Sequence, residues 1–400
     1  MRLTRQDLIT FAPPVAAMAV CSISLSISVP LFSLLMERIG TSGTVIGISH
    51  TISAAAMVVA APVLPRILSA VGMLPLMLWS VVALTFCMLA IPVWENVWYW
   101  AVLRAVWGGA ATALFFASEF WLISTVPDGI RGRIIGAYVV ILSASYMLGP
   151  LLLNAIGIDS WLTYAVPTAV ILVSSIPILL GRRFAPDGSR DEPPGTFALL
   201  KFFRTDPLIV WGVVLFGIVE LGAMGLMTVW GLRIGYEQTM AVELVFWLAF
   251  GSLAFQMPVG WAADRFDRRK LLAIAGAVSV LMPLVIISDA RSMTVVAAAV
   301  FVWGGMAVAC YSIALTELGS RYTGAVLAEA NAAVVLAYGL GALFSPTILG
   351  SSLDAFPPHG PLWMAAAAAL AYFVLALVRI RTASRPAAQS ALDSGPENST

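Results

Sequence analysis

Val106-Trp107-Gly108-Gly109 and Val302-Trp303-Gly304-Gly305 are the same four letters, 196 positions apart. Gly149-Pro150 meets Ser345-Pro346 at that offset, and Pro62-Val63 meets Pro258-Val259. Three landmarks in register over most of each half imply an internal duplication. Working outward, the chain reads as two similar halves, 1–181 and 207–380, about a joint at 182–206. The joint breaks the apolar pattern with Arg182-Arg183, a charged run from Asp187 to Glu192, and Pro193-Pro194-Gly195. Turn formers and charges together predict a solvated linker. Residues 381–400, rich in Ala, Ser and Pro, read as a disordered tail.

Composition fixes the solvent. Hydrophobic residues make up 60% of the chain and charged ones 11%, with a mean hydropathy of +0.94, which no soluble core could hide. Apolar runs of about 20 residues recur, enough to cross a bilayer core of about 30 Å as helices. Unpaired backbone groups are too costly in lipid for other conformations, and the runs lack the alternation of barrel strands. The predicted fold class is therefore an all-α polytopic membrane protein of twelve spans, six in 9–181 and six in 207–379.

Charge placement orients it. With both termini cytoplasmic, 18 of the 22 basic residues fall on inside segments and three outside (Arg38, Arg233 and Arg291), while Arg104 lies within a span. That split follows the positive-inside rule and fits a bacterial inner membrane. Topology thus accounts for the basic residues, and nucleic acid is not implied. The first span is too long for a cleaved signal and leads straight into a second. Cys21, Cys87 and Cys310 lie in spans, and His50 and His359 are far apart in sequence, so neither disulfides nor a metal site is suggested. No phosphate-binding Gly-x4-Gly-Lys loop and no catalytic constellation is present, so an enzyme is not indicated and no cofactor is expected. Ser22, Ser24, Ser26 and Ser28 in the first span serve either helix packing or a polar cavity.

Six spans per half give both halves the same orientation, the parallel-repeat plan of one large transporter class. Between spans eight and nine stands Gly260-Trp-Ala-Ala-Asp264-Arg265-Phe-Asp267-Arg268-Arg269-Lys270. Glycine, an Asp-Arg pair and a basic cluster at that place resemble the cytoplasmic loop motif of the major facilitator superfamily, although Asp267 stands where that family usually has glycine. In such a loop Gly260 turns the chain, and Asp264 pairs with arginines such as Arg265, Arg268 and Arg269 to hold neighbouring helices in one of two arrangements. Gly136, Ser145, Gly149 and Pro150 in span five resemble the superfamily's antiporter motif, and Gly341, Ser345 and Pro346 repeat part of it in span eleven. Small residues let helices approach closely and proline bends them, as a pivot between halves requires. Arg104 followed by Trp107-Gly108-Gly109-Ala110-Ala111 is similar to the span-four motif of proton-coupled drug antiporters.

Charges inside the spans are the functional candidates, since each costs several kcal/mol unless partnered. Arg104 lies about 10 Å from the outer edge, as a site residue or as one end of a structural ion pair. Glu220, thirteen residues into span seven, falls at a similar depth, and His50 in the same outer layer. Arg104 and Glu220 are expected to face one another across the central cavity. Glu119 lies about 22 Å deeper than Arg104, where it serves proton coupling or pairs with cytoplasmic arginines, the reading given also to Glu317. Tyr146 and Asn154 complete the polar set. The resemblance implies a monomeric secondary transporter that moves a small molecule by alternating access, foremost as a proton-coupled exporter. Import of a sugar or organic anion is one alternative, and a non-transporting sensor another.

Overall fold

The computed structural model describes residues 5–126, 131–186, 201–322 and 324–393. Among them twelve helices are long and apolar enough to cross a membrane. They are α1 (Thr10–Arg38), α2 (Gly43–Ala60), α3 (Met73–Val93), α4 (Val97–Thr125), α5 (Ala137–Ile156) and α6 (Leu162–Leu180) in the first half. The second half has α7 (Pro207–Arg233), α8 (Gln238–Arg265), α9 (Arg268–Ser288), α10 (Met293–Leu318), α11 (Ala333–Ala355) and α12 (Gly360–Thr382). Most of the linker, 187–200, lies outside the described residues. The last helix continues to Asp393, well into the stretch read as a tail.

Local chemistry sets several helix starts. Asn96 caps α4 by accepting from the backbone N–H groups of Trp98 and Tyr99 at 2.9 and 3.1 Å, and Asp267 caps α9 through the Arg269 N–H at 2.9 Å. Each cap satisfies a donor that a helix N-terminus leaves free. Between α2 and α3 the chain turns at Gly72, whose φ of +84° favours glycine. Side chains such as Trp79, Val82, Phe86 and Leu89 on α3 are more than half exposed, an apolar belt for lipid.

The repeated tetrapeptide has one role in both halves. A Cβ on Gly108 would collide with the Ser53 carbonyl of α2, and one on Gly304 with the Leu248 carbonyl of α8. The motif therefore seats α4 on α2 and α10 on α8 at backbone contact, with Trp107 and Trp303 buried beside it. The proline-bearing pair behaves likewise. A Cβ on Gly149 of α5 would strike Ser26 and Ile23 of α1, and one on Gly341 of α11 would strike Val214 of α7. Pro150 and Pro346 sit inside helices, and Ser345 is buried. Gly136 lies in the helix leading into α5.

Candidate coupling site and its latches

Arg104 on α4 is 3% exposed, and Arg104 Nη2 lies 2.6 Å from His50 Nδ1. A guanidinium only donates, so Nδ1 must accept, and the His50 proton is on Nε2. Nε2–H then donates to Ser33 Oγ of α1 at 2.9 Å, and Ser33 donates to the Gly225 carbonyl of α7 at 2.7 Å. This chain runs from α4 through α2 and α1 into the second half. Arg104 also lies 4.9 Å from the centre of the Phe32 ring and donates to the Ser49 carbonyl at 3.5 Å. A buried cation is thus held by an imidazole, a carbonyl and an aromatic face. Gly225 packs closely here, since a Cβ would stand 3.3 Å from the His50 ring.

Glu220 lies where α7 changes its winding. Across Ile218–Ala223 the backbone takes π-helical i→i+5 hydrogen bonds, a local widening that recurs at functional sites. Gly217 precedes it and Gly222 lies within it, with room for no side chain: a Cβ on Gly217 would meet the Tyr338 carbonyl at 2.6 Å. The Tyr338 side chain hydrogen-bonds Glu220, and Tyr311 is within electrostatic reach. Phe216 packs on both tyrosines, its ring centre 5.1 Å from that of Tyr311 and 5.7 Å from that of Tyr338. Glu220, Tyr146, Tyr311 and Tyr338 are half-buried, keeping accessible surface deep in the bundle.

Among the described residues no ion pair joins Arg104 to Glu220. Tyr146 of α5 is within electrostatic reach of both. Each charge has neutral neighbours within its own half, His50 for Arg104 and Tyr338 for Glu220. Glu119 makes no ion pair with an arginine among the described residues; it lies near Tyr138 and Tyr311. The four serines of α1 are buried, and Ser24 donates to the Pro167 carbonyl at 2.9 Å, which fits packing.

Polar contacts between the halves gather toward the face away from the termini. Arg233 at the end of α7 reaches Glu37 of α1 twice, at 3.0 and 3.2 Å, and Asp354 of α11 at 3.2 Å. Asp354 also caps α2, accepting from the N–H groups of Gly43 and Thr44 at 2.8 and 2.7 Å and from the Thr44 hydroxyl at 2.6 Å. Nearby, Asn154 donates to the Thr239 carbonyl at 3.0 Å, joining α5 to α8. Thr51 of α2 lies 2.8 Å from Thr347 of α11, and a Cβ on Gly47 would strike the Pro346 carbonyl. Among the described residues, side-chain hydrogen bonds near the opposite face stay within one half.

On that opposite face the loop motif needs two corrections. Gly260 makes no turn: it lies inside α8, with open space around it, and the chain leaves the helix at Phe266. Asp264 is exposed and has no ion-pair partner among the described residues. Arg268 instead reaches Glu317 of α10 at 3.0 Å, Ser320 at 2.6 Å and the Ala263 carbonyl at 3.0 Å. Arg321 binds Glu317 and also Asp206 at 3.0 Å. Asp206 accepts from the Tyr322 hydroxyl at 2.6 Å, which raises the Tyr322 pKa above its ordinary value. The ion-pair cluster on this face is therefore Arg268–Glu317–Arg321–Asp206, which includes Glu317 as expected and leaves out Asp264. Arg265 packs over Trp261 at 4.4 Å.

Twelve membrane helices in two repeated halves, meeting at buried charges, define a membrane transporter rather than an enzyme. The chain belongs to the Major Facilitator Superfamily, whose family model matches residues 15–325 and 244–398. It is 25% identical over 294 residues to the uncharacterized MFS-type transporter YcaD of Escherichia fergusonii, covering 73% of this chain and 75% of that one. A second relative, the uncharacterized MFS-type transporter Ent638_1421 of Enterobacter sp., is 24% identical over 283 residues, covering 70% and 72%. Among solved structures, a point mutant of the nucleoside transporter NupG superposes with a TM-score of 0.76 at 11% identity, over 92% of this chain and 99% of that one. A D-xylose-proton symporter gives 0.72 at 12% identity, over 93% and 97%. At such identities these two likenesses are of fold.

Proposed function

We propose that this chain is a proton-coupled exporter of a small amphipathic compound, working as a monomer by alternating access. Its termini are cytoplasmic, and its bacterial relatives support a place in the inner membrane. The observation that carries the reading is the buried pair of charged sites on opposite halves, Arg104–His50–Ser33 and Glu220–Tyr338, with Tyr146 in reach of both. Glu220 binds and releases the proton. Rocking of the halves changes its surroundings and so its affinity. Polar contacts gathered on the face away from the termini describe a state closed to the outside. Arg104 has no carboxylate neighbour among the described residues, which favours as a second reading the import of an organic anion paired by its guanidinium.

Reconstitution in liposomes with a compound panel, with and without a pH gradient, tests both readings. Glu220→Gln should abolish gradient-driven accumulation and leave downhill exchange within a few-fold of the parent. Uphill transport by this variant at the parent rate would remove Glu220 from coupling. Accumulation driven in the direction of proton flow would favour import over export.

A further inference from the structure

On the face that carries both chain ends, a cavity of about 220 Å³ opens between α7, α9, α10 and α12. Four arginines line it, Arg268 and Arg269 at the start of α9, Arg321 beyond α10 and Arg379 on α12, against two carboxylates, Asp206 and Glu317. Both carboxylates are already engaged, Glu317 by Arg268 and Arg321 and Asp206 by Arg321. The side chains of Arg269 and Arg379 have no ion-pair or hydrogen-bond partner among the described residues. The walls therefore carry two surplus guanidinium groups around open space. Thr205 and Thr382 add hydroxyl groups to the lining. The N-terminal ends of α7 and α9 also open at this cavity, each with an aspartate at its cap, Asp206 and Asp267.

We propose that this cavity binds a phosphate group, carried either by an anionic lipid headgroup or by a soluble phosphate ester. Guanidinium forks match phosphate oxygens two at a time, and two free forks at one cavity supply what a single surface arginine does not. The cavity lies at the ends of membrane helices, the level of lipid headgroups, where basic pockets between helices take anionic lipids. Just before Arg379, the exposed apolar residues Val374, Leu377 and Val378 offer α12 as a surface for acyl chains. A bound phosphate would join Arg269 of α9 to Arg379 of α12, beside the Arg268–Glu317–Arg321–Asp206 cluster. The proposal is independent of transport direction and of proton coupling.

The test uses delipidated full-length protein in detergent and follows thermal unfolding against added dioleoylphosphatidylglycerol, dioleoylphosphatidylcholine or inorganic phosphate. Phosphatidylglycerol should raise the Tm of the parent more than phosphatidylcholine does. The half-saturating concentration should rise at least tenfold in the double variant Arg269→Gln/Arg379→Gln. Arg381→Gln, an exposed neighbour outside the cavity, should behave as the parent, and Arg269→Lys/Arg379→Lys should keep part of the effect. An equal stabilisation by inorganic phosphate, lost in the double Gln variant, would support the site and assign it to a soluble phosphate ester. Should the double variant not fold, the two single Gln variants are read in the same way. The proposal is overturned if phosphatidylglycerol and phosphate stabilise the Gln variants as they do the parent, or if neither stabilises the parent.

Discussion

Replacing Arg233 by alanine removes the side chain that ties α7 to both α1 and α11 on the face away from the termini. Two ion pairs are lost, one of them a two-toothed contact with Glu37. The side chains involved are 21–30% exposed, between the surface case, worth up to about 1 kcal/mol, and the buried one, worth more when broken. Two pairs at about 0.5–1 kcal/mol each give ~1–2 kcal/mol. That is a 5- to 30-fold change in an equilibrium constant. The closed state of this face should lose that much against the open one, while the Asp354 cap on α2 remains. Spin labels at Ile39→Cys and Phe356→Cys, both exposed and on opposite halves, report the separation by electron–electron double resonance. Native Cys21, Cys87 and Cys310 are buried and add little background. Arg233→Ala should raise the ratio of long to short separations 5- to 30-fold, and high salt should move the parent the same way. An unchanged distribution would refute the assignment of Arg233 as a latch.

Gly108→Ala and Gly304→Ala should each destabilise the fold by about 1–3 kcal/mol, because a methyl group would meet a backbone carbonyl that cannot swing away. Tm measured in one detergent checks this, and unchanged values would show that the two helix pairs have slack. At the other face, Glu317→Gln should slow transport more than Asp264→Asn does, with substrate binding by either variant within a few-fold of the parent. Equal slowing by both would put Asp264 on a par with Glu317.

The repeat was legible because close helix packing leaves a mark on sequence. Gly108 and Gly304 are glycines for one steric reason, so duplication preserved the same four letters. Span count was legible because bilayer thickness acts on every segment at once. Arg104, His50 and Glu220 stood out because ionisable groups are rare in lipid, but depth along a helix says nothing about direction around it. Arg104 does contact His50, with which it shares a layer. Ser33 went unnoticed among the serines of α1, since it too bonds its own helix and only its contacts with His50 and Gly225 set it apart. The π-helical turn had a faint signal in Gly217 and Gly222 about the lone acid. Arg233, Glu37 and Asp354 were hidden by being ordinary charges at helix ends, far apart in sequence. The loop motif misled about Asp264 because the motif names residue types, while the partner, Glu317, is supplied by a different helix.

Arg104 and Glu220 are solved alike, each held by neutral groups. Removing one partner from a buried arginine–carboxylate pair costs ~3–5 kcal/mol, a barrier that a transport cycle would have to cross at every turn. An imidazole, a phenyl face and phenols hold charge in place without that cost, so each charge stays able to change partners. Tyr146 is the group placed to use this freedom, within reach of both charges and on a helix that contacts both halves. A phenol can donate to a carboxylate or accept from a guanidinium, so this hydroxyl is chemically able to serve either charge. Tyr146→Phe keeps the ring and its packing and deletes that hydroxyl alone. Gradient-driven transport should fall about tenfold, the equivalent of ~1.4 kcal/mol for one lost hydrogen bond to a charged group. Its Tm should stay within a few degrees of the parent. If the variant transports uphill at the parent rate, communication between the two charges does not pass through Tyr146, and the His50–Ser33–Gly225 chain becomes the path to test.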